Sequence, residues 1–382
     1  MKEFNSVCVA GAGASGSAVV QLAKKLGKKI YLTDAGYPDI DDPDIEVELG
    51  GHSREFISRA DCVVVSPGII TEEFRRKYVS GDQIFTGEIE FAYWYCKSED
   101  IVAVTGTNGK TTTTHICAGV LEKYSGRKVF CGGNIGRPFA SFVLDVNTGD
   151  IVVLELSSFQ LETIDSFHPR AAAILNLRPD HLDRYACVED YYAEKKRLFM
   201  NMTASDTLLY PQDVPNAEFV KQLVSVYGVS SQQVDEYMSA FGGLPHRLET
   251  VGEYEGVLYI NDSKATNVDA AIWALKNIRG RIILLAGGKD KGIDYKGILP
   301  YAAHVKSVVV FGAAAERIAD DLKDSLDVIR TGNIHDALIA ARDRAEAGDR
   351  VVLSPMCASF DQFKNYMERG DVFREAVHKL YS

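Results

Sequence analysis

Short apolar runs that stop at a glycine or a polar residue, each followed by an amphipathic stretch, recur along the whole 382-residue chain. They lie at 6–10, 29–33, 61–66, 101–105, 151–154, 171–175, 281–286, 307–311 and 350–353. A run that is apolar at nearly every position, rather than at alternate ones, has to be buried on both faces. Parallel strands covered by helices provide that burial. The pattern therefore predicts an α/β fold on parallel sheets. Ligands of such sheets sit beyond the carboxyl ends of the strands, so the polar residues that end the runs are the candidate functional groups. The chain is too long for one ordinary domain, and the runs group into blocks 1–97, 98–242 and 243–382.

Charge narrows the partners. Lys and Arg number 42 against 53 Asp and Glu, a formal net charge of −11. That balance argues against non-specific nucleic-acid or anionic-membrane binding, which need a basic face. No apolar run reaches the roughly 18 residues of a membrane span. The seven cysteines form no CxxC pair and read as reduced, buried thiols, so a cytoplasmic enzyme is expected.

The run 102–105 leads into Gly106, Thr107, Asn108, Gly109, Lys110 and Thr111, and a helical stretch follows. A glycine loop opening a helix aims backbone N–H groups at an anion, and the helix dipole adds to that pull. Lys110 supplies a charge for the β- and γ-phosphates of ATP, and Thr111 a hydroxyl for Mg2+. Val104 stands where the usual phosphate loop has its first glycine. A tight turn with an exposed lysine is the plainer reading, and the flanking strand and helix outweigh it. A second glycine loop, 11–16 (GAGASG), is followed about twenty residues later by Asp34, as in dinucleotide sites. It suits NAD, another nucleotide diphosphate, or only a close-packed turn. A dehydrogenase reading leaves the 106–111 loop idle, so the first block is read as the site of a nucleotide-linked substrate.

Glu155 ends the run 151–154 and is placed to take Mg2+ directly or through water. The plainer reading is a solvated strand-end glutamate. Asp180, His181 and Asp183 follow a strand and a proline turn, with Lys195 further on. From spacing alone His181 reads as structural, and Lys195, Lys196 and Arg197 as a solvated helix face.

Together these segments resemble the Mur ligase family. The matches are 106–111 (GTNGKT), 133–136 (GNIG), 155–162 (ELSSFQLE), 180–185 (DHLDRY), 243–249 (GLPHRLE), 261–267 (NDSKATN) and 354–363 (SPMCASFDQF). They run in family order over nearly the whole chain, and the last points to the D-glutamate-adding members. The resemblance implies three domains: a Rossmann-like N-terminal domain for a UDP-linked substrate, a shortened P-loop ATPase domain, and a Rossmann-like C-terminal domain for an amino acid. It implies that ATP phosphorylates the carboxylate of UDP-N-acetylmuramoyl-L-alanine and that the amine of D-glutamate then displaces phosphate, in peptidoglycan precursor synthesis. Cations must neutralise the oxygens as charge shifts, while the protein mostly positions the reactants.

By motif, the resemblance implies ATP contacts at Gly106, Thr107, Asn108, Gly109, Lys110, Thr111, Thr112, Asn216, Arg247, Asp262 and Lys264. It places the UDP-linked substrate against Gly13, Ala14, Ser15, Asp34, Ser66, Pro67, Gly68, Asn134, Ser157, Gln160 and His181. D-glutamate falls to Thr266, Lys291, Ser359, Phe360 and Tyr366, with Lys291 pairing one carboxylate. Thr111, Glu155, His181 and Lys195 hold two Mg2+ in this reading. Lys195 does so as a carbamate, which turns a cation into a metal-binding anion; Lys196 is the one-residue-off alternative. Catalysis rests on Lys110, Glu155, His181 and Lys195, in a monomer.

The chain also departs from the family. Between Tyr210-Pro211 and Gly243 the usual extra strands are missing, and only Asn216 matches the spacing of a purine contact. Phe360 and Tyr366 stand where leucine and phenylalanine are common, and Asp34 is followed by Ala35 and Gly36 instead of hydroxyl or basic residues. The alternatives are a sister or folylpolyglutamate-synthase-like ligase and a non-catalytic binding protein. The glycine loop of the first block disfavours the folate reading, and the retained Lys110, Thr111, Glu155, His181, Lys195 and Lys291 disfavour the last.

Overall fold

The computed structural model describes residues 3–182 and 184–382. Among these, sixteen strands form three sheets. The first has the order β3-β2-β1-β4-β5, all parallel, from β1 (Ser6–Ala10), β2 (Lys29–Asp34), β3 (Ile45–Leu49), β4 (Cys62–Val65) and β5 (Ile84–Gly87). The second, also all parallel, has the order β10-β9-β6-β8-β7, from β6 (Ile101–Thr105), β7 (Val129–Gly133), β8 (Ile151–Glu155), β9 (Ala171–Ile174) and β10 (Thr207–Leu209). The third has the order β11-β12-β16-β13-β14-β15. Its members are β11 (Glu249–Tyr254), β12 (Val257–Asn261), β13 (Ile282–Gly287), β14 (Val305–Phe311), β15 (Val328–Arg330) and β16 (Arg350–Met356), and only β11 with β12 is antiparallel.

The chain divides into two compact units. One runs through Pro179 and again over Arg184–Ala240, and holds the first two sheets; the other is Phe241–Ser382 with 180–182. The α/β architecture on parallel sheets agrees with the expectation from the apolar runs. Central strands have every side chain buried, as in β1, β6 and β8, because helices cover both faces.

Within the first unit one hydrophobic core extends from Val7, Val9 and Phe91 to Phe142, Leu154 and Phe167. The buried Glu90 carboxylate ties its two sheets together. It accepts from the backbone N–H groups of Asp165, Ser166 and Phe167 and from the Trp94 indole. The order in which the chain adds strands to the first sheet switches sides between β1 and β4, the usual crevice for a ligand. There Ser66 donates to the Gly11 carbonyl, 3.0 Å away. A Cβ on Gly16 would lie 1.8 Å from that carbonyl oxygen. Gly16→Ala therefore forces backbone apart, and we expect it to lower the melting temperature of the first unit by roughly 5 °C in a thermal scan.

The segment between Pro211 and Gly243 forms two helices, Asn216–Ser225 and Ser231–Ala240. The second packs so closely on the helix Lys110–Tyr124 that a Cβ on Gly119 would meet the Tyr237 hydroxyl at 1.9 Å. All seven cysteines are free; Cys8, Cys62, Cys117 and Cys357 are buried, whereas Cys187 is exposed, so the expectation of buried thiols fails there.

Candidate active site

The 106–111 loop leaves the carboxyl end of β6 and opens the helix Lys110–Tyr124. Gly106 and Gly109 take φ of 145° and 84°, values glycine adopts without strain. Gly109 stands at the N-cap of that helix, whose N-terminus favours an anion. Lys110 curls over this loop, its Nζ 2.9 Å from the carbonyls of Gly106 and Thr107. Asn216 lies on the same loop: a Cβ on Gly109 would be 2.2 Å from its amide nitrogen. Thr111 is buried and Thr112 half-buried at the helix start.

Asn176, directly after β9, went unassigned in the sequence reading. Its side-chain oxygen accepts from the Asn108 N–H and its amide donates to the Asn108 carbonyl, both at 2.9 Å. Its own carbonyl accepts from the Thr107 N–H. This clamp fixes the phosphate loop. The only sequence signal for it was a polar residue at a strand end.

Glu155 is 1% exposed at the end of β8. Its Oε1 accepts from the Asn134 amide at 2.8 Å, while Oε2 is buried with no hydrogen-bond partner. A buried carboxylate oxygen left unsatisfied is costly, and a cation would satisfy it. Glu155 therefore fits a hard divalent metal, although among the described residues no group of three His, Cys, Asp or Glu gathers around one. Lys195 is 1% exposed while Lys196 is exposed, which distinguishes the two lysines. The Lys195 Nζ donates to the Gly106 carbonyl at 2.9 Å and lies 4.5 Å from the Tyr191 ring centre. Lys110 and Lys195 thus meet at one carbonyl. Ser157 and Gln160 form a capping box on the short helix Ser158–Leu161, so their side chains serve that turn.

In the first sheet, Gly13 caps the helix Ala14–Lys25 and is exposed, and Ser15 is half-buried. Asp34 supports the loop from below, accepting from the N–H groups of Ala12 and Gly36 at 2.7 Å. The segment with Ser66, Pro67 and Gly68 is held by Arg184, which donates to the carbonyls of Pro67 and Ile69 and pairs with Glu162 at 2.7 Å.

In the second unit, β12, β16 and β13 are neighbours, and the loops after them carry the remaining candidates. Asp262 is buried, and burial pushes its carboxyl up to about 7 although the Ser354 hydroxyl, the Leu248 N–H and Arg247 oppose this. A carboxyl raised from 3.8 to about 7 costs stability wherever the unfolded chain has ionised it and the fold resists doing so. The cost is absent below the unfolded value, grows as pH rises through this window, and is complete above it. The melting temperature of Asp262→Asn relative to the parent should therefore climb between about pH 4 and pH 7 and level off above; a constant difference would contradict the shift. His246 is buried with a φ of 62°. Lys264 lies over the Tyr366 ring, 3.9 Å from its centre. Thr266 follows on the same loop, its N–H donating to the Lys264 carbonyl at 2.8 Å. Lys291 pairs with Asp180 at 3.2 Å, and Asp180 also accepts from the Asn267 amide. Burial opposes ionisation of Asp180, yet Lys291, His181 and Asn267 pull its carboxyl below the usual range. His181 itself takes a φ of 55°. Ser359 is buried and Phe360 68% exposed; Asp183 lies outside the described residues.

Residues 104–243 match the Mur ligase middle domain and 246–357 the Mur ligase glutamate ligase domain. The chain is 35% identical over 450 positions to the UDP-N-acetylmuramoylalanine–D-glutamate ligase of Salinibacter ruber, covering 97% of each. The chain belongs to the Mur ligase family. The enzyme of the same name from Pelotomaculum thermopropionicum is 36% identical, covering 100% of this chain and 99% of that one. Among solved structures, a pseudomurein peptide ligase type C from Methanothermus fervidus superposes with a TM-score of 0.61 at 17% identity, over 98% of this chain and 100% of that one. The UDP-N-acetylmuramate–alanine ligase of Thermotoga maritima gives 0.60 at 16%, over 99% and 100%. These two establish the Mur ligase fold. A 450-position alignment with a chain of 382 residues leaves at least 68 positions without a residue of this chain. No helix among the described residues is long and apolar enough to cross a membrane.

Proposed function

We propose that this Mur ligase adds D-glutamate to UDP-N-acetylmuramoyl-L-alanine at the expense of ATP. The observation that carries the reading is the meeting of Lys110, Lys195 and Asn176 on the 106–111 loop in a chain whose relatives bear that enzyme's name. A carboxylate is a poor electrophile, and phosphorylation gives it a leaving group. Its oxygen attacks the γ-phosphorus and ADP departs; the amine of D-glutamate then attacks the acyl carbon and phosphate leaves with that oxygen.

The N-terminus of the helix Lys110–Tyr124 and the Lys110 ammonium would hold the triphosphate and neutralise its developing charge. Thr111 and Glu155 would hold one Mg2+, which supplies further neutralisation on the phosphate oxygens. Lys195 as a carbamate, and His181, are proposed for the second. Residues 1–97 would bind the UDP-linked substrate, 98–242 ATP and 243–382 the amino acid. Lys291, now paired with Asp180, would take one glutamate carboxylate, and Ser359 would face the other. A single cytoplasmic chain would suffice. The test is ADP release by purified protein with UDP-N-acetylmuramoyl-L-alanine and either D-glutamate, L-glutamate, L-alanine or diaminopimelate. Release with D-glutamate supports the reading; release only with another amino acid points to a sister ligase, and none with any refutes it.

A further inference from the structure

Arg369 is the largest fully buried side chain among the described residues, at 0% exposure. It lies on the helix Tyr366–Leu380 and makes no ion pair at contact distance with a carboxylate; Asp361 acts on it only through its field. Its guanidinium is instead spread over three loops. Nε donates to the Ser263 hydroxyl at 3.0 Å and Nη2 to the Ser263 carbonyl at 2.8 Å. Nη1 donates to the carbonyls of Cys357, Ala358 and Gly287 at 3.1, 3.4 and 3.3 Å.

These are the loops after β12, β16 and β13, and they are also joined to one another. The Met356 N–H donates to Ala265, and the Lys289 N–H to Ala358. Met356 holds a left-handed φ of 62°, a strained value that persists only where the surroundings impose it. At Gly288, with φ 134°, a Cβ would stand 2.2 Å from the Ala358 oxygen and 3.0 Å from Arg369 Nη1. The glycine admits the guanidinium. A buried arginine is costly unless every donor finds an acceptor. With an acceptor at each of its three nitrogens, its planar fork fixes the relative placement of those acceptors more firmly than a flexible ammonium can.

We propose that Arg369 is a positioning residue for the amino acid: from beneath, it sets the backbones that present Thr266, Lys291, Ser359 and Phe360. The inference rests on the functional reading above. Its charge also lies under a site that receives a dianion, although no step of the chemistry requires Arg369 to touch the substrate.

The test uses the full chain with Arg369→Lys, which keeps the charge and loses the fork, Arg369→Met, which loses both, and Ser263→Ala, which keeps the arginine and removes one acceptor. Kinetics with D-glutamate varied are paired with amide hydrogen exchange of the ligand-free proteins. We expect KM for D-glutamate to rise about tenfold in Arg369→Lys and further in Arg369→Met, with KM for ATP within about twofold of the parent. Exchange should quicken at 263–266, 287–291 and 357–360. Ser263→Ala should move both readouts the same way by less, and it carries the test if the arginine variants do not fold. Unchanged exchange and KM in folded variants, or equal rises for ATP and D-glutamate, would overturn the proposal. If the parent itself releases no ADP with D-glutamate, the functional reading fails, and exchange in the ligand-free chains still decides the bracing.

Discussion

Glu155→Gln is expected to slow D-glutamate-dependent ADP release by about a hundredfold to a thousandfold while leaving the fold intact or slightly more stable. The glutamate sits in a fully buried strand end, with one oxygen on Asn134 and the other without a partner. That arrangement suits a cation better than it suits an empty pocket. Glutamine keeps the shape and the Asn134 contact but removes the charge that a metal needs. Loss of activity without loss of stability is the signature of a group retained for function. A rate and Mg2+ dependence equal to the parent's, measured over a magnesium titration, would remove Glu155 from the metal site.

Lys195→Ala should lose activity by about a thousandfold and recover several-fold when acetate or another short carboxylate is added. Lys195 is buried against the Gly106 carbonyl and the Tyr191 ring, at the foot of the phosphate loop. In the alanine variant the vacated space would admit a small anion in the carbamate's place. Normal rates in the variant would refute the carbamate. Loss without rescue, accompanied by a lower melting temperature, would leave Lys195 as a brace for Gly106 alone.

Much of this molecule is legible in its sequence for a simple reason. Parallel strands buried on both faces must be apolar throughout, so β1, β6, β8, β13 and β16 stand out, and the residues that end them stand at the ligand side. Edge strands such as β3, with only one of its five residues buried, carry no such signal. Nor do residues whose role depends on distant partners. Arg369 lies between glutamate and glycine on a polar stretch and reads as solvated, yet its acceptors at Ser263 are 106 positions away. Asn176 reaches Asn108 across 68 positions. Lys195 and Lys196 could not be separated by spacing, because helix phase alone decides which one is buried. The resemblance to a family resolved these functional residues only where a motif named them, which is why Lys195 was chosen and Asn176 and Arg369 were not.

The central claim is that the substrate's carboxylate is activated as an acyl phosphate, and oxygen transfer tests it directly. UDP-N-acetylmuramoyl-L-alanine labelled with 18O in its terminal carboxylate would be turned over with ATP, Mg2+ and D-glutamate, and the inorganic phosphate analysed by mass spectrometry. The account predicts one 18O atom in each phosphate formed from doubly labelled substrate. Phosphate free of 18O, with amide product formed at the same rate, would contradict it.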